Sequence, residues 1–444
     1  MNIDIQVISI DRLNPAAYNP RIDLKPGDPD YEKLKKSIKE FGYVEPIIWN
    51  KRTGNVVGGH QRLKILKEEG HKEVQVSVVD LEDTREKALN IALNKISGDW
   101  NEEKLNELFL ELQNDLDLDI SITGFETNEI DELLSNFDVL TAEEDDFDLE
   151  SELAKEEPPI TKIGDVWLLG NHKLLCGDST SKEDVSLLMD NKKADLILTD
   201  PPYNVNYESE SGLKIENDNL ATDDFYNLLL KAFSNMFEVS KAGTPIYVFH
   251  ADTEAVAFRT SFNQAGFKLS QCLVWVKNSL IMGRQDYHWK HEPILYGWKE
   301  GAAHKWYGKR NKSTSMEEEI DFEQMSKKEL IELVDDLIHG ECDSSIIRFD
   351  KPQRSAIHPT MKPIGLLSRL INNSSKRNDI VVDLFGGSGS TLIACEKMER
   401  ICYTMELDPK YCDAIVNRYK ELNGEDGIVL IRNNKTIKYS ELSQ

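Results

Sequence analysis

Two short stretches hold residue types that could do chemistry together. The first, LILTDPPY (196–203), ends an apolar run on a carboxylate, two prolines and a tyrosine. No strand continues through that proline pair. Asp200 is therefore expected at the carboxyl end of a buried strand, where the ligand crevices of open α/β sheets lie. Pro201 and Pro202 have no N–H groups, so the corner is stiff and its carbonyls face outward without competing donors. A carboxylate, an outward carbonyl and the Tyr203 ring describe a holder for an exocyclic amine on a planar heterocycle: the oxygens accept both amine hydrogens and the ring stacks on the base. That acceptance draws electron density onto the nitrogen and makes it a better nucleophile towards a methylsulfonium. A base inside a duplex is out of reach, so flipping is implied. On its own the tetrapeptide reads almost equally well as a proline turn carrying a surface tyrosine.

The second stretch, DLFGGSGST (383–391), reads as a buried strand, a glycine turn and a helix start. Glycines let the backbone approach a ligand and take positive φ, and Ser390 or Thr391 can cap the helix that follows. Glu406 stands 17 residues after Gly389, at the end of the next strand, where a carboxylate can accept hydrogen bonds from a ribose diol. An ordinary strand–helix turn is one reading. A dinucleotide site is weaker, because Leu392 stands where a third glycine is wanted. An adenosine-containing ligand without phosphates, S-adenosylmethionine foremost, fits better.

With HPTMKP (358–363) added, TDPPY and DLFGGSGST resemble the amino-methylating DNA methyltransferases, in the group whose Asp-Pro-Pro-Tyr motif precedes the glycine motif. The resemblance covers roughly 160–425 and implies a circularly permuted, Rossmann-like α/β fold that uses S-adenosylmethionine. It assigns catalysis to Asp200, Pro201, Pro202 and Tyr203. Cofactor binding falls to Asp178 (adenine), Asp383, Phe385, Gly386, Gly387, Gly389, Thr391, Glu406 (ribose), and Thr360 and Lys362 of the segment closing over the methionine end. The lead Asp favours N6 of adenine. N4 of cytosine, an RNA substrate, and a non-catalytic segregation-type DNA-binding regulator with a cofactor-sensing fold are the alternatives. Double-stranded DNA is the implied partner. A homodimer and a cognate restriction enzyme are left open. No metal is implied.

These corners need a sheet to hold them. From 161 onward strand-like runs (172–178, 194–200, 244–251, 269–277, 291–298, 379–387, 400–408) alternate with helical patterns such as 222–237 and 390–398, which argues for a mostly parallel sheet covered by helices. The polar stretch 299–358, with its own helical pattern at 326–338, reads as an insertion. Basic and aromatic residues interleave across 284–312, as phosphate contacts and base stacking require. Arg284, Lys290, Lys305, Lys309, Arg310 and Lys312 are the candidate DNA contacts, in a target-recognition insertion around 284–357.

Residues 1–97 alternate short strands and helices. YNPR, LKKSIKEFGYVEPIIW and GGHQRLKIL resemble the ParB/sulfiredoxin-like α+β fold. Gly59, His60, Gln61 and Arg62 stand where that family has Gly-Glu-Arg-Arg at a helix N-terminus. The changes put nucleotide hydrolysis in doubt but leave Gly59, His60 and Arg62 as an anion site.

The net charge of −26 argues at first against nucleic acid. Residues 99–160, however, hold 22 acidic against 2 basic side chains, a net −20 that leaves −6 on the other 382 residues. Residues 98–160 read as amphipathic helical pieces followed by a solvated acidic linker. Six scattered cysteines form no Cys-x-x-Cys pair, and no secretory signal or membrane-length apolar run is evident, so a cytoplasmic protein with reduced thiols is expected.

Overall fold

The computed structural model describes residues 4–95, 100–113, 115, 118–125, 129–130, 133–134, 139, 144–205, 217–281, 288–308, 346–348 and 361–442. The chain divides into two compact units, Met1–Phe137 and Asp138–Gln444.

In the first unit, β1 (Ile5–Ser9), β2 (Asn14–Pro15), β3 (Ile47–Asn50), β4 (Asn55–Gly58) and β5 (Glu73–Val79) form a sheet in the order β1-β5-β3-β4-β2. The helix Pro29–Phe41 starts with proline in its first turn, where the missing N–H costs nothing, and stops at Gly42 with φ +75°. Tyr31, Ile47, Val56, Leu63, Ile65 and Val76 build the core. Glu86 is fully buried and receives donors from Tyr18, Asn50, Thr53 and Asn55, which satisfies a carboxylate that burial alone would penalise. The helix Glu102–Gln113 adds Leu105, Leu108, Phe109 and Leu112 to a second small core with Ala88, Ile91 and Phe125.

The second unit is built on one large sheet. Its strands are β6 (Val166–Leu169), β7 (His172–Cys176), β8 (Leu196–Thr199), β9 (Pro245–Phe249), β10 (Lys268–Ile281), β11 (Trp289–Trp298), β12 (Ile346–Arg348), β13 (Ile380–Asp383), β14 (Ile401–Glu406), β15 (Ile428–Arg432) and β16 (Lys435–Lys438). The order is β12-β10-β11-β9-β8-β13-β14-β7-β6-β15-β16. The central five, β9-β8-β13-β14-β7, run parallel, and the flanks bring in antiparallel pairs. Central strands are covered on both faces: Leu196 and Leu198 enter one core and Ile197 the other, and Val381 and Val382 divide the same way. Such strands read as unbroken apolar runs, which is why LILT could be recognised.

Late strands β13 and β14 sit between early strands β8 and β7, and β14 leads in register into β7 (Glu406 opposite Cys176). The permuted order read from the sequence is the one observed. The sequence reading lacked β6, β12, β15 and β16 as strands. The helix pattern at 326–338 lies outside the described residues.

The stretch before β6 differs from the solvated linker expected. Leu149 and Leu153 of the helix Leu149–Leu153 are buried with Met361 and Ala414. Asp145 takes Nε of the buried Arg418 at 2.7 Å and its Nη2 at 2.9 Å. A buried guanidinium needs a carboxylate, and this acidic run supplies it.

Candidate active site

Because the central strands are parallel, their carboxyl ends lie together. Asp200 after β8, Asp383 closing β13, Glu406 closing β14, Asp178 after β7 and His250 after β9 all line one cavity of about 540 Å³. Pro201, Pro202, Tyr203, Phe385, Gly386, Gly387, Thr391 and Lys362 line it too. The two corners singled out in the sequence are thus two walls of one space, within the usual size range of small-molecule sites.

On the first wall, the Tyr203 hydroxyl donates to Asp200 Oδ1 at 2.7 Å, and Lys362 Nζ lies 2.5 Å from Oδ2. Burial pushes the Asp200 carboxyl up, as does the Glu292 charge, while Lys362 and the Tyr203 hydroxyl pull it down. The Tyr203 ring meets Phe258 edge-on at 6.5 Å, so its plane is fixed by packing as well as by the hydroxyl.

On the second wall, Gly387 has φ +51°, and a Cβ built there meets no atom within 4 Å: it faces open space. A Cβ at Gly386 would lie 2.8 Å from Thr404 Oγ1. Gly389, with φ +82°, is the left-handed residue that opens the helix Ser390–Lys397. It packs on Ile415 rather than lining the cavity. Glu406 Oε2 accepts Gly387 N at 2.7 Å, and Oε1 accepts Leu407 N at 2.8 Å and Asp408 N at 3.0 Å. Burial pushes this carboxyl up to about 7 against those three backbone donors. A side-chain-free, positive-φ loop beside an acidic residue is a cradle that fits an adenosine-sized group.

Asp383 closes the seam between the walls. Its Oδ1 accepts Thr199 Oγ1 at 2.8 Å and Phe385 N at 3.1 Å, and Thr391 donates to it as well. Burial lifts it from 3.8 to about 7. A carboxyl raised on folding stabilises the fold below its unfolded pKa and loses that contribution as pH rises through the folded one. Asp383→Asn should therefore gain stability relative to wild type as pH goes from about 4 to about 7, read as thermal midpoints without cofactor. A difference that stays flat or falls over that range would show that burial does not govern this group.

Other expected contacts are placed differently. Lys305 bonds Asp195 at 2.5 Å and reaches Asp379 at 3.4 Å. Those residues precede β8 and β13, so Lys305 lies at the amino ends of the strands, away from the cavity. There it joins an ion-pair network with the two carboxylates. Lys290 is exposed on β11. Arg284, Lys309, Arg310, Lys312 and Thr360 lie outside the described residues. Sequence reasoning missed Glu292 and Lys277. Glu292 Oε1 accepts Lys277 Nζ at 2.9 Å, with Lys277 buried and Glu292 half-buried beside Lys362.

In the first unit, Gly59 (φ +92°) opens the helix His60–Glu68. Burial, with Arg21 nearby, pushes His60 down to about 4, so it is neutral at neutral pH. Arg62 pairs with Glu45.

A permuted parallel sheet with an acidic proline corner and a glycine corner on one cavity defines a methyltransferase-type domain. The chain belongs to the amino-methylating (N6/N4) DNA methylase family, which its residues 194–417 match under the description DNA methylase. Residues 2–95 match the ParB N-terminal domain, and 103–163 match a ParB-methyltransferase HTH domain, a description that the reading of an acidic segment did not reach. The chain is 22% identical over 275 residues to the type II methyltransferase M.BglII of Bacillus subtilis, covering 57% of this chain and 69% of that one. It is 24% identical over 242 residues to M.HpaI of Haemophilus parainfluenzae, covering 54% and 73%. Among solved structures, the M1.HpyAVI–SAM complex is similar at 21% identity and TM-score 0.40, covering 56% of this chain and 98% of that one. Among the described residues, no helix is long and apolar enough to cross a membrane.

Proposed function

We propose that this protein methylates N6 of a flipped adenine within a specific sequence of double-stranded DNA. The observation that carries the reading is the shared cavity, with Asp200 on one wall and the Gly386–Gly387 cradle on the other. S-adenosylmethionine is the cofactor; when bound it supplies a sulfonium-borne methyl group and is left as the neutral thioether, while the amine nitrogen releases one proton to water. Phe385, Gly386, Gly387 and Glu406 hold it, with Asp178 at its adenine. Asp200 and the Pro201 carbonyl accept the two amine hydrogens, which fixes the nitrogen and directs its lone pair into the cavity. Tyr203, tied to Asp200 through its hydroxyl, offers its ring to the base. The chain's part is therefore positioning and polarisation, with no covalent enzyme intermediate. Adenine is favoured by the lead Asp of the tetrapeptide, as the family resemblance implies. The ParB-like and helical segments of the first unit serve as DNA-positioning modules.

Incubation with unmethylated DNA and methyl-labelled cofactor, then digestion to nucleosides, should place the label on N6-methyladenosine's deoxy form. Label on N4-methyldeoxycytidine overturns the base assignment, and unlabelled DNA overturns the activity.

A further inference from the structure

Lys362, expected at the cofactor's methionine end, stands between two carboxylates. Its Nζ lies 2.5 Å from Asp200 Oδ2 and 3.6 Å from Glu292 Oε2. Glu292, on β11, binds Lys277 of β10 on its other oxygen at 2.9 Å. The Lys362 side chain is 7% exposed and that of Lys277 3%. The Lys362 ammonium also stands 5.3 Å from the Tyr203 ring centre and 5.1 Å from that of Phe249. A row of alternating charges, Asp200–Lys362–Glu292–Lys277, thus runs from the tip of β8 into the sheet.

We infer that Lys362, steadied by Glu292, is a positioning residue that keeps Asp200 ionised and oriented towards the target amine. The inference rests on Asp200 being the carboxylate that holds that amine. A protonated Asp200 would present a donor where the amine needs an acceptor. Taking two lysines out of water is expensive, and an apolar pair would pack as well at less cost, so their retention beside a reacting group points to a task in the reaction.

The surroundings agree with this. Burial opposes the charge on Lys362, but Asp200 and Glu292 outweigh it and hold the ammonium's pKa up. Burial opposes ionisation of Glu292, but Lys362 and Lys277 hold it down. Among the described residues, three further titratable groups stand around Asp200. Tyr203 stays a neutral phenol, pushed up by burial and by the Asp200 charge. His250, after β9, is pulled down by burial and lies neutral beneath Phe258. Asp383, across the seam, is itself raised by the Asp200 charge, a minor contribution beside its burial.

The test measures single-turnover methyl transfer to unmethylated duplex DNA across pH, with the full-length protein and saturating cofactor, alongside cofactor affinity by calorimetry. Transfer requires ionised Asp200, so its rate falls as pH drops through that group's pKa. Lys362→Met should move this acid limb up by roughly 1–3 pH units while cofactor affinity stays within about twofold. Lys362→Arg should leave the limb near wild type, and Glu292→Gln should move it down, since the Glu292 charge raises Asp200. Lost cofactor binding in Lys362→Met with an unmoved limb would return Lys362 to the cofactor and overturn the inference. A pH-independent loss of rate in that variant would reduce its role to structure and also overturn it. Activity retained in Asp200→Ala would instead overturn the amine-holding reading itself.

Discussion

Asp200→Ala should abolish methyl transfer and leave cofactor affinity almost unchanged. On the proposed mechanism the substitution removes an acceptor for an amine hydrogen inside a cavity where such bonds are strong. Removing one preorganised electrostatic partner commonly lowers a rate by about 10²–10³-fold. Here it also strands the Lys362 ammonium, whose nearest carboxylate is gone. Single-turnover rates with labelled cofactor, together with calorimetric titration of the cofactor, separate the two effects. A rate within tenfold of wild type would remove Asp200 from the chemistry. The glycine wall should be unaffected, because its bonds run through Glu406 and the backbone.

The second large effect falls on stability. Arg418 is 1% exposed, and Asp145 receives its Nε and Nη2, while Nη1 donates to the Ser388 carbonyl at 2.9 Å and Ser390 Oγ at 3.1 Å. Asp145→Ala leaves a buried guanidinium without its carboxylate, a change that typically costs about 3–5 kcal/mol. Chemical denaturation should show the loss as a lower midpoint with little change in slope. Because Nη1 braces Ser388 in the glycine corner, cofactor affinity should fall as well. Replacing both partners with apolar residues should recover much of the stability, and failure to recover would mean the pair is not what holds the segment. An acidic stretch ahead of the domain thus works as a buttress for the glycine corner.

These two sites differ in how far the sequence disclosed them. Asp200 and the glycine corner were legible because central parallel strands are apolar on both faces and end abruptly, at prolines in one case and glycines in the other. The strand order followed from the same motifs. Asp145 was not legible, since a carboxylate among many reads as solvated, and its partner stands 273 residues later. The pairing of Lys305 was hidden for the same reason: beside tryptophan and tyrosine it reads as a phosphate contact, and its partners Asp195 and Asp379 come from distant strand ends. Glu292 and Lys277 are single charges two residues from Ile294 and Trp275 of the core, on a face that the local pattern does not show to be covered at that end. Only the packing of β10, β11 and the segment before the helix Ile364–Ser374 shows that this face is covered. Local patterns disclose backbone punctuation well, and long-range charge pairing poorly.

The interleaved strand order also sets a timetable for synthesis. β8 can pair with β9 soon after both leave the ribosome, but its other edge must wait for β13. Thr199 and Asp383, which bond across that seam, are 184 residues apart. At about 5–20 residues per second, the open edge of β8 and the acidic corner at its tip stand without their neighbour for roughly 10–40 s. The nascent chain must therefore carry the acidic proline corner, formed but uncovered, until the glycine corner that shares its cavity has been made.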